Sequence, residues 1–187
     1  MKKEIRKQLK EIRKNLSKNE VFEKSKKIKE KLFETREFKQ ASTILFYVSY
    51  DNEVYTHNMI KDCIFKNVKI IVPISVEKTR SLILSRLKSW NDLVTGSYGI
   101  LEPKKDMIKE IPIDEIDLII VPGVGFDISG RRIGHGKGYY DKLLKKAKKA
   151  IHIGLAFENQ IVKEIPTNSH DLPVHIIITE ERIIYCD

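Results

Sequence analysis

The sequence predicts an α/β fold in which helices pack on a mostly parallel sheet with an antiparallel edge. Apolar runs such as Leu118-Ile-Ile-Val121 are short and uninterrupted, as strands buried on both faces are. Segments with apolar residues every three to four positions alternate with those runs, which is the order of βα units. With 187 residues, 41% of them hydrophobic, the chain can bury a sizeable core. Residues 1–187 are read as one domain, because no internal repeat, low-complexity tract or linker interrupts the pattern.

Two helices are expected at the N-terminus. Residues 2–16 align Ile5, Leu9, Ile12 and Leu16 on one face among Lys and Arg. Ser17 and Glu20 have the spacing of a capping box and open a second helix with Val21, Phe22, Ser25, Ile28 and Leu32 inward. A β-rich run follows at 43–48, then a polar turn, then a helix capped by Thr56 and carrying Met59, Ile60, Cys63 and Ile64. Residues 69–74 form a second buried strand with Pro73 marking its end, and 81–87 an edge strand. The stretch 88–116, punctuated by Gly96, Gly99, Pro103 and Pro112, reads as loops or one short helix. Strand 117–121, helix 139–149, strands 150–156 and 174–179 and a short strand ending near Tyr185 complete the pattern.

Residues 130–141, Gly-Arg-Arg-Ile-Gly-His-Gly-Lys-Gly-Tyr-Tyr-Asp, carry the chemistry. Glycine lets a polyanion approach backbone N–H groups, and a helix N-terminus follows at once. Arg131, Arg132 and Lys137 add positive charge. No Ser or Thr follows Lys137, so this is not a Walker A loop, and the GxGxG spacing does not fit the dinucleotide fingerprint. The loop follows strand 117–121, on the side where open α/β sheets bind ligands, and phosphate binding is favoured over a structural turn.

Net charge is +9, from 35 Lys+Arg against 26 Asp+Glu, spread along the chain without a basic tail. It points to anionic partners, with a solvated surface accounting for much of it. No RNP-like aromatic pair, zinc spacing or helix-turn-helix signature favours nucleic acid. Cys63 and Cys186 form no CxxC pair or disulfide framework, and no apolar run reaches membrane-spanning length, so a cytoplasmic protein is expected.

A longer pattern joins 121–127 (Val-Pro-Gly-Val-Gly-Phe-Asp), 130–134 and 136–141. It closely resembles the signature of the 5-formyltetrahydrofolate cyclo-ligase (methenyltetrahydrofolate synthetase) family. The Lys-rich opening, the 49–56 segment, Tyr98–Pro103 as a hexapeptide, and His170-Asp-Leu-Pro173 before Ile176-Ile-Ile-Thr-Glu180 match in the same order. The resemblance implies a three-layer αβα fold and the ATP-dependent, Mg²⁺-requiring conversion of 5-formyltetrahydrofolate to 5,10-methenyltetrahydrofolate. Two alternatives stay open: a relative acting on another formylated or phosphorylated metabolite, and a basic nucleic-acid-binding module.

By that resemblance ATP is held by Lys2, Lys3, Glu4, Ile5 and Arg6 and by Arg132, Ile133, Gly134, His135, Gly136, Lys137, Gly138, Tyr139 and Tyr140. Arg132 and Lys137 are the catalytic candidates. Val48, Glu53 and the loop residues His135, Gly136, Lys137, Gly138 and Tyr139 are expected to contact the folate. Asp141 and Asp171 match the family's Mg²⁺ positions, although Asp141 also suits a first helical turn and Asp171 a turn cap. Glu53 alone reads equally as a solvent-facing turn acid. Tyr55, Trp90 and Tyr98 are weaker aromatic-wall candidates, and Asp127 reads first as a turn former. His135 stands where the family often has Arg, and His175 where many relatives have Asp. No nucleic acid or membrane partner is expected, and the protein is taken as a monomer.

Overall fold

The computed structural model describes residues 1–168 and 171–186. In chain order the helices are α1 (Lys2–Lys14), α2 (Lys18–Glu34), α3 (Arg36–Gln40), α4 (His57–Phe65) and α5 (Tyr139–Lys146). The strands are β1 (Thr43–Leu45), β2 (Lys69–Val76), β3 (Ser81–Leu87), β4 (Leu93–Thr95), β5 (Leu101–Pro103), β6 (Leu118–Val121), β7 (Gly125–Asp127), β8 (Arg132–Ile133), β9 (Ile151–Leu155), β10 (Ile161–Val162), β11 (Ile176–Ile178) and β12 (Ile183–Tyr185). The main sheet runs β12-β11-β9-β6-β1-β2-β3. Its five central strands are parallel, and β3 and β12 pair antiparallel at the two edges.

Alternation along the central strands produces the layers. Ile44, Ile70, Val72, Leu118, Ile120 and Ile153 face α2 and α4, where Ile28, Leu32, Met59, Ile60 and Cys63 are buried. Leu45, Ile71, Ile119, Val121 and Ile177 face the opposite way, onto Leu143, Leu144 and Ala147 at α5. Every second residue thus serves a different helical layer, and both faces being covered explains the unbroken apolar runs. The result is a three-layer α/β arrangement. Among the described residues no helix is long and apolar enough to cross a membrane.

From β1 the chain passes through α4 to β2 on one side, whereas β6, β9 and β11 lie on the other. The gap between β1 and β6 is therefore the point where strand order reverses, the place open α/β sheets offer a ligand.

Several local expectations are corrected. Pro73 lies inside β2, opposite Leu84 of β3. Phe46 N–H donates to Ile71 C=O, so the next parallel bond would need a donor at position 73. Proline has none, and it ends the β1–β2 ladder without ending β2. Thr56 occupies the position before α4 but its hydroxyl does not cap the helix. Instead Thr56 Oγ1 donates to Tyr47 C=O at 2.7 Å and accepts from Ser49 N–H at 3.0 Å, stapling the turn that leaves β1. Phe22 is exposed on α2, against the rim of Tyr55. Residues 88–116 contain the β4–β5 hairpin. The capping box of Ser17 and Glu20 forms as expected.

Candidate active site

A cavity of about 510 Å³ lies where the chain leaves β1 and β6, lined by Tyr47 and Val48 from the first and Pro122 from the second. Three further pieces close around it: the face of α1 bearing Lys2, Arg6 and Lys10, the loop and helix start from Arg132 to Asp141, and the turn carrying Tyr50 and Glu53. The opposite wall is Pro73, Ser75 and Leu82 from β2 and β3 with Tyr98, Ile100 and Glu102 from the hairpin region.

The glycine loop does not follow β6 directly. A small sheet, β10-β7-β8, intervenes, and the loop runs from β8 into α5. Asp127 ends β7 and is buried; its Oδ1 accepts from Ser129 and Arg131 N–H and its Oδ2 from Ile165 N–H. That anchor fixes the hairpin whose return strand delivers the loop. Gly136 (φ 99°) and Gly138 (φ 74°) adopt left-handed backbone, which L side chains rarely tolerate. Gly138 precedes the first turn of α5 with no side-chain cap, so that turn presents backbone N–H groups to the cavity side.

Arg132 is almost fully buried. Its Nη2 donates to Asp141 Oδ1 at 2.6 Å and its Nη1 to Pro122 C=O at 3.3 Å, while buried Nε has no partner among the described residues. Lys137 takes a different environment, its Nζ 3.4 Å from the ring centre of Tyr98. Arg6 Nε donates to Gly134 C=O at 2.8 Å. Lys2 pairs with Asp171, whose carboxylate also accepts from Asn168 N–H at 2.7 Å. Burial pushes the Asp171 carboxyl upward, but the Lys2 hydrogen bond, the Asn168 N–H and the charges of Lys2 and Arg132 outweigh it and hold the group below its ordinary value.

On the β1 side Glu53 is buried, not solvent-facing. Its Oε2 accepts from Tyr50 N–H at 3.1 Å and its Oε1 lies 3.5 Å from His135 Nε2. Asn52 Nδ2 donates to the carbonyls of Arg13 and Leu16 and ties this turn to the end of α1. Burial, reinforced by the Glu53 charge, pushes the Tyr47, Tyr50 and Tyr140 hydroxyls above the ordinary phenol range.

Not every candidate gathers here. Lys3, Glu4 and Ile5 are absent from the cavity lining, because helical periodicity turns them away from the face of Lys2 and Arg6; Ile5 packs with Leu9, Val124 and Ile133 instead. Arg131 points to Asp127 and Glu164. Tyr55 and Trp90 flank His57 in a separate aromatic group, leaving Tyr98 as the aromatic wall of the three. His175 accepts from His152 N–H through Nδ1 and packs its ring at a tilt against that of His152, away from the cavity. His170 lies outside the described residues. Lys10 was missed, though its spacing of four from Arg6 was visible; Pro73, Ser75 and Leu82 of the β2 and β3 wall had no local signal, whereas Tyr98 of the hairpin region did.

Comparison with known proteins agrees with this architecture. The 5-formyltetrahydrofolate cyclo-ligase family model matches residues 1–180. The chain belongs to that family. Among named members, 5-formyltetrahydrofolate cyclo-ligase of Haemophilus influenzae is 30% identical, with 94% of this chain and 95% of the relative covered. The enzyme of Mus musculus is 32% identical, with 95% and 92% covered. The NMR structure of Aquifex aeolicus 5,10-methenyltetrahydrofolate synthetase superposes with a TM-score of 0.87 at 33% identity, covering 98% of this chain and 92% of that one. The relatives are ligases, and the cavity of this family member is where its chemistry is to be sought.

Proposed function

We propose that the protein converts 5-formyltetrahydrofolate to 5,10-methenyltetrahydrofolate, consuming ATP and releasing ADP and phosphate, with residues 1–187 acting as one unit. One observation carries the reading: cations from α1, the glycine loop and the buried Glu53 turn all line one cavity at the strand-order reversal. The same convergence favours a small polyanion over nucleic acid as the target of the basic residues.

A formamide oxygen is a poor leaving group, and phosphorylating it makes it a good one. The γ-phosphoryl passes to the formyl oxygen, the second folate nitrogen attacks the activated carbon, and phosphate departs as the ring closes. The protein's task is positioning and charge neutralisation. In this proposal Lys2, Arg6 and the N–H groups at 134–139 bind the triphosphate. Lys137 leaves the exposed Tyr98 face to meet the transferred phosphoryl, a move that exchanges a weak cation–π contact for a charge-assisted hydrogen bond. Arg132, fixed by Asp141 and Pro122, keeps its Nε–H for an anionic oxygen. Glu53 accepts from the donor groups of the pterin, with Val48 beside it.

Among the described residues no three His, Cys, Asp or Glu side chains are placed to hold a metal ion. Asp141 and Asp171 both line the cavity, however, and two carboxylates completed by phosphate oxygens and water suit Mg²⁺. Bound there, the ion would neutralise charge on the phosphates.

The test is direct. Protein, 5-formyltetrahydrofolate, Mg²⁺ and ATP are mixed and the near-ultraviolet absorbance of the methenyl product is followed. Product that requires all four components is expected; none at micromolar enzyme would reject the reading.

A further inference from the structure

Tyr140 lies in the first turn of α5 and lines the cavity, and its ring packs between the two hydrophobic layers of the fold. Its hydroxyl is sealed from solvent, yet has no hydrogen-bond partner among the described residues. Burying a hydroxyl unpaired costs about 1–3 kcal/mol, so such a group in a binding cavity marks a contact that the protein leaves for something else.

Its surroundings define that contact. The hydroxyl lies within electrostatic reach of Glu53 and Arg132, and of the neighbouring phenol of Tyr47. Tyr47 is already engaged, donating to Val54 C=O at 3.2 Å. Arg132 offers only donors. Burial and the Glu53 charge both favour the neutral phenol, so the group is an O–H donor in search of an acceptor. Glu53, which shares the cavity wall, takes the Tyr50 N–H on Oε2 and faces His135 with Oε1, and its carboxylate still has lone pairs for further donors.

We propose that the Tyr140 hydroxyl donates to the ring carbonyl of the bound pterin while Glu53 accepts from the adjacent ring N–H and amino groups. The pair reads a cyclic amide edge, donor beside acceptor, and so selects an oxo-pteridine over one bearing an amino group in the carbonyl's place. This rests on the cyclo-ligase reading for the ligand and goes beyond it in assigning a specificity residue. The Tyr140 hydroxyl acts here on the folate and not on the nucleotide.

The experiment uses Tyr140→Phe, which removes only the oxygen, in three measurements. The unliganded variant should melt no lower than wild type, since no hydrogen bond among the described residues is lost; a clear drop would mean the hydroxyl is structural and overturn the proposal. The KM for 5-formyltetrahydrofolate should rise roughly tenfold with the KM for ATP unchanged, a loss of about 1.4 kcal/mol; an unchanged folate KM, or a rise in the ATP KM instead, overturns it. Dissociation constants measured without ATP should show the variant losing affinity for 5-formyltetrahydrofolate and little for a 2,4-diaminopteridine analogue. Equal losses for both ligands would refute the carbonyl assignment. Wild-type protein making no methenyl product would sink the cyclo-ligase reading, while the dissociation constants still report on the tyrosine separately.

Discussion

Arg6 and Gly134, 128 residues apart, are joined by a hydrogen bond from the guanidinium Nε to the carbonyl oxygen at 2.8 Å. The bond docks α1 onto the glycine loop, and the Arg6 Cζ lies 3.6 Å from where a side chain on Gly136 would begin. An N-terminal helix thereby supplies both charge and loop geometry to the cavity.

Arg6→Ala should therefore do more than remove a charge. The loop loses a charge-assisted tie worth about 1–3 kcal/mol when buried, less here because Arg6 is only half-buried. A rise of roughly tenfold in the ATP KM is expected, together with faster amide exchange at 134–138, measured by hydrogen–deuterium exchange. Arg6→Lys should keep part of the ATP affinity but not the exchange protection, because an ammonium lacks the planar fork. Normal exchange in both variants would refute the docking role.

Lys137 makes no ion pair among the described residues and is exposed on the loop. Lys137→Ala should leave the melting temperature nearly unchanged, within about 0.5 kcal/mol of stability, yet lower kcat by at least about 100-fold. Steady-state kinetics beside thermal melts decide the matter; parallel losses in both would make the lysine structural.

Asp141 and Asp171 should separate in a paired experiment. Asp141→Asn leaves nearly buried Arg132 without its counter-charge and should cost about 1–3 kcal/mol of stability. Asp171→Asn frees half-buried Lys2 and should cost less than about 1 kcal/mol. Both should raise the Mg²⁺ concentration needed for half-maximal turnover, read by titration after chelator treatment. No shift in either titration would remove the metal from these carboxylates.

Acid should weaken the fold through His152 and His175. Burial lowers both basicities, and for His152 the neighbouring ring adds to it. A histidine with a depressed folded pKa binds more protons when unfolded, so its stabilisation is complete above about pH 6.5 and declines as pH falls below that value. Protonating His175 Nδ1 also breaks its bond from His152 N–H. Melting temperature should drop between about pH 7 and 5, with a shallower drop in His175→Asn. Identical slopes would show that the pair is not responsible.

The sequence by itself determined the layers and the loop. Period-two and period-3.6 apolar patterns are local, and they placed the parallel strands, α1, α2 and α5 because burial of one stripe or two faces leaves a direct record in residue order. Glycines interleaved with cations likewise marked the loop at 132–141 that the structure places on the cavity wall. What only tertiary structure decided is which side chains meet. Pro73 was misread because its effect depends on where β1 stops, and Thr56 because Tyr47 and Ser49 compete for its hydroxyl. Lys3 and Arg131 are basic neighbours of cavity residues but face elsewhere, since a step of one residue turns a side chain about 100° on a helix and to the opposite face on a strand. The burial of Glu53 and the Tyr140 hydroxyl left without a partner among the described residues follow from distant segments crossing at the reversal between β1 and β6. No single segment carries that information, because strand order is fixed by the packing of the whole sheet.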